Sequence, residues 1–189
     1  MITSKNDYKY FLSQDLQKTG IENNLKVRLL DRRYRFYKSL RMTEYFTNCR
    51  KDVLGNLIAK ILRIRHVKLC DKYNWTIPIN VFGEGLAIVH VGTIVVNGDA
   101  RIGKNCRINA CTNIGRASIH GGQETGAPVI GDNVYIAPGA KIFGPVTIGD
   151  NTAIGANAVV NKSFKEGNCT IAGVPAKIIS QETSRKFIL

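Results

Sequence analysis

The chain has 189 residues, 44% of them hydrophobic, enough for one domain with a real core or one plus a small helical annex. No run approaches the roughly 20 apolar residues that span a bilayer, and the polar start Met1-Ile2-Thr3-Ser4 reads as no signal peptide. The net charge of +13 points to anionic partners, and the five scattered cysteines, odd in number, point to reduced thiols in the cytoplasm rather than a disulfide framework.

In chain order, a short helix is expected from Tyr8 to Lys18, ending near Thr19-Gly20. Over residues 26–47, Val27, Leu30, Tyr34, Tyr37 and Leu40 recur every three or four places. They predict an amphipathic helix with an Arg-rich outer face. Residues 51–70 repeat the pattern: Val53, Leu57 and Ile61, with Leu54, Ile58 and Leu62, form an apolar stripe, and Lys51, Lys60, Arg63 and Arg65 lie off it. From Lys26 to Lys72 there are 14 Lys and Arg against four Asp and Glu. Three uses of this basic surface stand open: a solvated outer face over a core-packing inner face, a face toward an acidic membrane or polyanion, or a nucleic-acid surface. No helix-turn-helix, zinc finger or aromatic-basic interleave supports the last. His66 in this segment is expected to be structural or exposed. Pro78 disfavours helix for the residue before it, so the helical region stops near Tyr73 to Pro78.

From about Ile77 to Ile179 an aliphatic or aromatic residue returns every sixth position. Ile130, Ile136, Ile142, Ile148, Ile154 and Val160 are one series, Ile102, Ile108 and Ile114 another, and Phe82, Ile88 and Ile94 an earlier one. A period of six fits neither a helix nor a half-buried strand. It marks a solenoid of short flat segments, three hexads to a triangular coil, with the aliphatics inside and successive coils stacked roughly 4.8 Å apart. The register slips twice. The step from Ile94 to Ile102 is eight, which places two extra residues at a corner around Gly98-Asp99. The step from Ile114 to Ile130 is sixteen, so a Gly-rich loop, about residues 116–128, leaves the prism. The division expected is a basic helical domain at 1–75, a β-helix at 76–179 and a tail at 180–189.

Three segments carry a resemblance. They are Gly85-Leu-Ala-Ile-Val-His90 with its following eight-residue step, the Gly-rich loop, and Ala172-Gly-Val-Pro-Ala-Lys-Ile178. Together with the hexads, the chain resembles the hexapeptide-repeat acyltransferases, and more narrowly the serine acetyltransferase-like group. The resemblance implies a mainly β fold, a left-handed parallel β-helix behind an α-helical N-terminal segment, and acetyl-CoA-dependent transfer to a hydroxyl. It also implies a homotrimer, because the family's cofactor lies between two prisms.

His90 is then the general base. An imidazole suits that work at cytoplasmic pH. In serine acetyltransferases an aspartate stands about fifteen residues before this histidine, and here that place is Trp75. A second family histidine, just before the Pro that closes the loop, is replaced by Thr125-Gly126-Ala127. These departures lead to the expectation of a sugar acceptor in capsule, exopolysaccharide or lipopolysaccharide synthesis. Serine O-acetylation for cysteine synthesis is the second reading, and a non-catalytic scaffold for an anionic partner the third.

Asn109 and Glu84 are candidates, beside Asn74 and a backbone carbonyl, to orient His90, and His120 in the loop is a candidate acceptor or cofactor contact. With Trp75 these make up the expected substrate end of the site. Carried over from the family, Gly115, Ala137, Pro138, Gly155 and Ala156 would lie along the pantetheine arm, with Lys162 and Lys177 on the phosphates. No metal site is expected. Cys106 and Cys111 are read as packing residues, so transfer is expected to be direct, within a ternary complex. The expected location is cytoplasmic, with a peripheral contact to an anionic inner membrane or polymer as a further option.

Overall fold

The computed structural model describes residues 1–22, 24–117 and 126–188. Four helices come first: α1 (Lys5–Lys18), α2 (Leu25–Leu30), α3 (Arg32–Cys49) and α4 (Val53–Tyr73). Each begins on a side-chain cap. Ser4, Asn24, Asp31 and Asp52 accept from backbone N–H groups of their helices' first turns, as short polar side chains do at that position. The single helix expected over 26–47 is split at Asp31, which ends α2 and caps α3.

The remainder is built from short parallel strands in three flat sheets, which make a three-sided prism. One face, A, has the order β1 (Trp75–Thr76), β3 (Ile94–Val96), β6 (Thr112–Gly115), β9 (Lys141–Phe143), β12 (Val159–Val160). Face B stacks β4 (Arg101–Ile102), β7 (Val129–Ile130) and β10 (Thr147–Ile148), extended at its two ends by bridges at Phe82 and Phe164. Face C runs β2 (Ala87–Ile88), β5 (Arg107–Ile108), β8 (Tyr135–Ile136), β11 (Ala153–Ile154), β13 (Thr170–Gly173), and closes with β14 (Ala176–Ser180), which turns back antiparallel. The chain visits the faces in the cycle B, C, A. The hexad aliphatics therefore stack in three columns inside the prism, all buried. The architecture is mainly β with a hexapeptide period and four helices.

The eight-residue step lies elsewhere than the spacing places it. Val96, not Ile94, pairs with Ile114 in face A, while Ile94 pairs with Thr112. From Val96 to Ile102 the step is six. The two additional residues belong to the C-to-A corner between Ile88 and Val96, which contains His90. Ile94 and Val96 are both buried aliphatics, so spacing alone picks the nearer one, whereas the backbone pairing picks Val96.

Corners are turned in part by asparagines in the left-handed region. Asn105, Asn133, Asn151 and Asn168 have φ of 55°, 54°, 55° and 50°, a conformation asparagine tolerates better than most side chains. Their amides form a ladder down the B-to-C corner: Asn105 Nδ2 donates to Asn133, Asn133 Nδ2 to Asn151, and Asn151 Nδ2 to Asn168.

The helices cap the open upper end of the prism, where a solenoid otherwise exposes unpaired strand groups. Asp15 accepts from Leu86 N and Glu44 from Asn80 N, each at 2.8 Å. Tyr37 Oη accepts from Ile88 N at 2.8 Å. Arg41 donates to the carbonyls of Phe82 and Gly83 at 3.0 and 2.6 Å, and to the Asp15 and Glu44 carboxylates. Arg41 is fully buried, so the Arg-rich face expected over residues 26–47 does not include every arginine of that segment. Burial alone would lower its pKa, but the Asp15 and Glu44 carboxylates more than offset this and hold the guanidinium charged. His66 is also buried, with Nε2 3.0 Å from the Ile77 carbonyl oxygen and Nδ1 3.3 Å from Ser39 Oγ.

Helix α4 packs chiefly on α3, burying Gly55, Ala59, His66, Cys70 and Tyr73, and meets the prism near its C-terminal end, where His66 lies against the Ile77 carbonyl. The apolar stripe expected here divides: Val53, Leu54, Leu57 and Ile61 are each half or more exposed, as is Ile64 beyond them, while Ile58 and Leu62 are half-buried.

Candidate active site

His90 sits exposed on the enlarged C-to-A corner, and the backbone on both sides of it is tied down. Two residues before it, Ile88 N–H is held by Tyr37 Oη. Two residues after it, the Gly92 carbonyl accepts from Trp75 Nε1 at 2.8 Å. Gly92 approaches the next coil so closely that a Cβ there would lie 2.7 Å from the Ala110 Cβ. The corner can bulge over the coil below only because Gly92 has no side chain.

Directly beneath, successive coils place Asn109-Ala110-Cys111, then Ala137-Pro138-Gly139, then Gly155-Ala156-Asn157 at the same corner. Backbone bonds define this column. Cys111 N donates to Thr93 O, Gly139 N to Ala110 O, and Asn157 N to Pro138 O. Gly155 lies over Ala172, where an added Cβ would meet Ala172 Cβ at 2.7 Å, and Ala172 pairs in register with Lys177 on β14. His90, Asn109, Ala137, Pro138, Gly155, Ala156 and, at the lower end, Lys177 therefore share one edge of the prism. Small side chains leave that edge open to an elongated ligand. Asn109 is buried, and its Nδ2 donates to the Ile136 carbonyl at 2.9 Å.

Other expected residues lie elsewhere. Gly115 ends β6 at the A-to-B corner, 3.0 Å (from its would-be Cβ) from the Phe143 ring. Lys162 follows β12 near the same corner and rests over the Phe164 ring at 5.5 Å. Glu84 is on the B-to-C corner, where its carbonyl accepts from Asn105 N. Trp75 is buried, and it touches the His90 corner through the Gly92 carbonyl. His120 lies outside the described residues.

Cys106 is buried, and burial pushes its thiol up to about 12. Cys111, expected to pack inside, is instead exposed at φ 61°. It occupies the left-handed corner place that Gly139 and Asn157 fill in the coils below. Lys141, which the hexad reading passed over, donates to the Cys111 carbonyl and so brings a cation to the His90 edge. The pairing of β3 with β6 is the signal that locates this neighbourhood, because it shows which corner is enlarged. Among the described residues no group of three or more His, Cys, Asp or Glu side chains is placed to hold a metal ion.

Residues 127–162 match the family model described as bacterial transferase hexapeptide (six repeats). This region belongs to the bacterial transferase hexapeptide family. The chain is 40% identical over 139 residues to the serine acetyltransferase of Staphylococcus xylosus, an alignment covering 72% of this chain and 59% of that protein. A solved serine acetyltransferase in complex with cysteine superposes with a TM-score of 0.71 at 26% identity, covering 96% of this chain and 69% of that one. The Brucella abortus serine acetyltransferase in complex with coenzyme A, at 24% identity, shares the fold with a TM-score of 0.68 over 94% of this chain and 70% of that one. The chain spans about half the length of the curated serine acetyltransferases it matches.

These relationships overturn the expectation of a sugar acceptor in surface-polysaccharide synthesis. That expectation rested on Trp75 and Ala127 standing where the resembling group has acidic and histidine residues. The relatives of this hexapeptide region are nevertheless serine acetyltransferases. No helix among the described residues is long and apolar enough to cross a membrane.

Proposed function

We propose that the chain transfers acetyl from acetyl-CoA to the hydroxyl of L-serine, with His90 as general base. The 40% identity to a serine acetyltransferase over 139 residues carries this reading. The exposed imidazole above an edge of small side chains supports it. The His90 ring takes the serine Oγ proton as Oγ attacks the thioester carbonyl. The tetrahedral intermediate then collapses to O-acetylserine, and the departing thiolate recovers the proton from the imidazolium. Donors at the corner would face the developing oxyanion. Transfer is direct in this scheme, because Cys106, buried with a raised pKa, cannot supply a thiolate.

We further infer a left-handed winding and a homotrimer. His90 and its column occupy the C-to-A edge, while Gly115 and Lys162 occupy the A-to-B edge. A three-fold ring sets one chain's first edge against its neighbour's second and so assembles a groove with small residues on one wall and Gly115 and Lys162 on the other. Coenzyme A, with an apolar arm and anionic phosphates, suits such a groove, with Lys177 at its lower end.

The test is thiol release from acetyl-CoA on addition of L-serine. Wild-type protein is expected to turn over, and His90→Ala to lose roughly 10²–10⁴-fold in rate with an unchanged circular dichroism spectrum. Folded protein that releases no thiol with serine, or a fully active His90→Ala, would sink the reading.

A further inference from the structure

The outer surface of the helical cap has an organisation that acetyl transfer does not use. Helix α4 turns Leu54, Leu57, Ile61 and Ile64 to solvent, on the side opposite Gly55, Ala59 and His66. These residues recur at three- and four-residue steps, so they form one continuous stripe rather than scattered exposure. Helix α2 adds exposed Leu25, Leu29 and Leu30. Beside the stripe, α2, α3 and α4 enclose a groove of about 660 Å³ that receives Arg28, Arg35, Lys38, Arg65, Lys68 and Lys72 and no carboxylate. The acids of this region are engaged elsewhere. Glu44 is buried on Arg41, Asp31 caps α3, and Asp52 caps α4 and pairs with Arg50. Asp71, the single carboxylate of α4, lies beyond the last residue of the stripe.

We propose that this face is an anionic-membrane docking surface. The apolar stripe of α4 lies at the headgroup boundary, and the groove cations engage lipid phosphates. Both halves of the surface point to one occupant. A soluble polyanion or nucleic acid would satisfy the cations but leave the leucines and isoleucines in water. A second copy of this chain would cover the stripe but bring the same basic groove against itself, on a molecule already at +13. A lamellar surface with acidic headgroups offers apolar depth and negative charge together, and an amphipathic helix with basic flanks binds there without spanning. The proposal is independent of the acceptor used at His90.

The experiment is co-sedimentation of the full chain with phosphatidylcholine vesicles, alone or containing phosphatidylglycerol, at low and high salt. Three proteins are compared: wild type, the stripe variant Leu57→Ser/Ile61→Ser, and the groove variant Arg65→Gln/Lys68→Gln. All four positions are exposed, and unchanged helical circular dichroism checks the fold. Binding is expected with the acidic vesicles and not with neutral ones, and high salt should weaken it. Each cation removed should weaken it roughly fivefold, and the stripe variant should lose it as well. No binding to acidic vesicles overturns the proposal. Binding that the stripe variant retains in full, with soluble polyphosphate competing equally well, makes this a polyanion surface and also overturns it. A fall in oligomer mass caused by the stripe variant, with no vesicle binding by wild type, assigns the face to a second copy.

Discussion

The indole Nε1 of Trp75 donates to the carbonyl of Gly92 at 2.8 Å, across the gap between β1 and the corner that presents His90. Trp75 is buried on the Phe36 and Tyr73 rings, with centroids 4.8 and 5.3 Å away, so the donor is rigidly placed. The corner has two residues more than its counterparts below, and this bond restrains the surplus. Trp75→Phe keeps most of the packing and removes the donor. It is expected to cost about 1 kcal/mol of stability. If acetyl transfer runs at His90, kcat should fall several-fold while KM for acetyl-CoA stays near wild type, because the column of small residues is untouched. Steady-state thiol release separates the two parameters. A raised KM with unchanged kcat would place Trp75 in cofactor binding instead.

The hexad period was legible because one aliphatic per face must fill the prism, and the three inner columns leave no choice of direction. Two other features were not. The enlarged corner was hidden because Ile94 and Val96 are equally aliphatic and equally buried, and only their partners Thr112 and Ile114 tell them apart. In α4 the apolar residues recur with helical period, but periodicity does not say which side meets the protein. Gly55, Ala59 and His66 are the buried ones, on the opposite face, leaving Leu57 and Ile61 outside. The burial of Arg41 had no local signature, since the two carboxylates and two carbonyls it joins are spread from Asp15 to Gly83. Of the site, His90, Ala137, Pro138, Gly155 and Ala156 came from motif likeness and share an edge. Glu84 does not join them because its hexad ends on a different corner.

Cys111 is the exposed thiol closest in the coil stack to the His90 corner, its N–H bonded to Thr93 O. Direct transfer requires no acyl-cysteine. Cys111→Ser is expected to retain wild-type kcat within about twofold, and Cys111→Asn, which supplies the residue type of Asn157 at the same corner, should match it. The measurement is serine-dependent thiol release, together with intact mass after incubation with acetyl-CoA alone. An increment of one acetyl group on wild type that is absent from Cys111→Ser, alongside lost turnover, would establish a covalent route.

The Asn133 amide bonds both Asn105 and Asn151 while its backbone holds φ 54°. Asn133→Ala loses both bonds and places a Cβ-bearing residue with no local hydrogen bond in the left-handed region. Together these should cost roughly 2–3 kcal/mol. Asn133→Gly loses the bonds but not the conformational tolerance, so its melting temperature should fall between wild type and Asn133→Ala. Equal melting temperatures for the two variants would show that backbone conformation contributes little here.

Arg41 is the only positive side chain bonded to the buried Asp15 and Glu44 carboxylates among the described residues. Removing it leaves two buried acids and the Phe82 and Gly83 carbonyls without that donor. Arg41→Met is expected to destabilise by about 3–5 kcal/mol. Simultaneous Asp15→Asn and Glu44→Gln should recover part of that loss, since neutral amides need no counter-charge. Denaturant unfolding followed by tryptophan emission reports on this junction, because Trp75 packs between the helical cap and the first coil. No recovery in the triple variant would indicate that the lost carbonyl contacts, rather than stranded charge, dominate.

His66 makes the cap pH-sensitive in a definite direction. Burial lowers its pKa from the ordinary value of 6.5, partly opposed by the bond to the Ile77 carbonyl and by the negative charge of Glu44. The unfolded chain therefore takes up this proton at a higher pH than the folded one. The stability associated with neutral His66 is fully present above about pH 6.5 and declines as pH falls below it toward the lower folded value. Thermal melts between pH 7.5 and 5.5 should show a falling midpoint for wild type. His66→Gln keeps a side-chain donor for the Ile77 carbonyl and has no titratable ring, so its midpoint should vary less over the same range. An identical slope for the two proteins would assign the acid sensitivity to other groups.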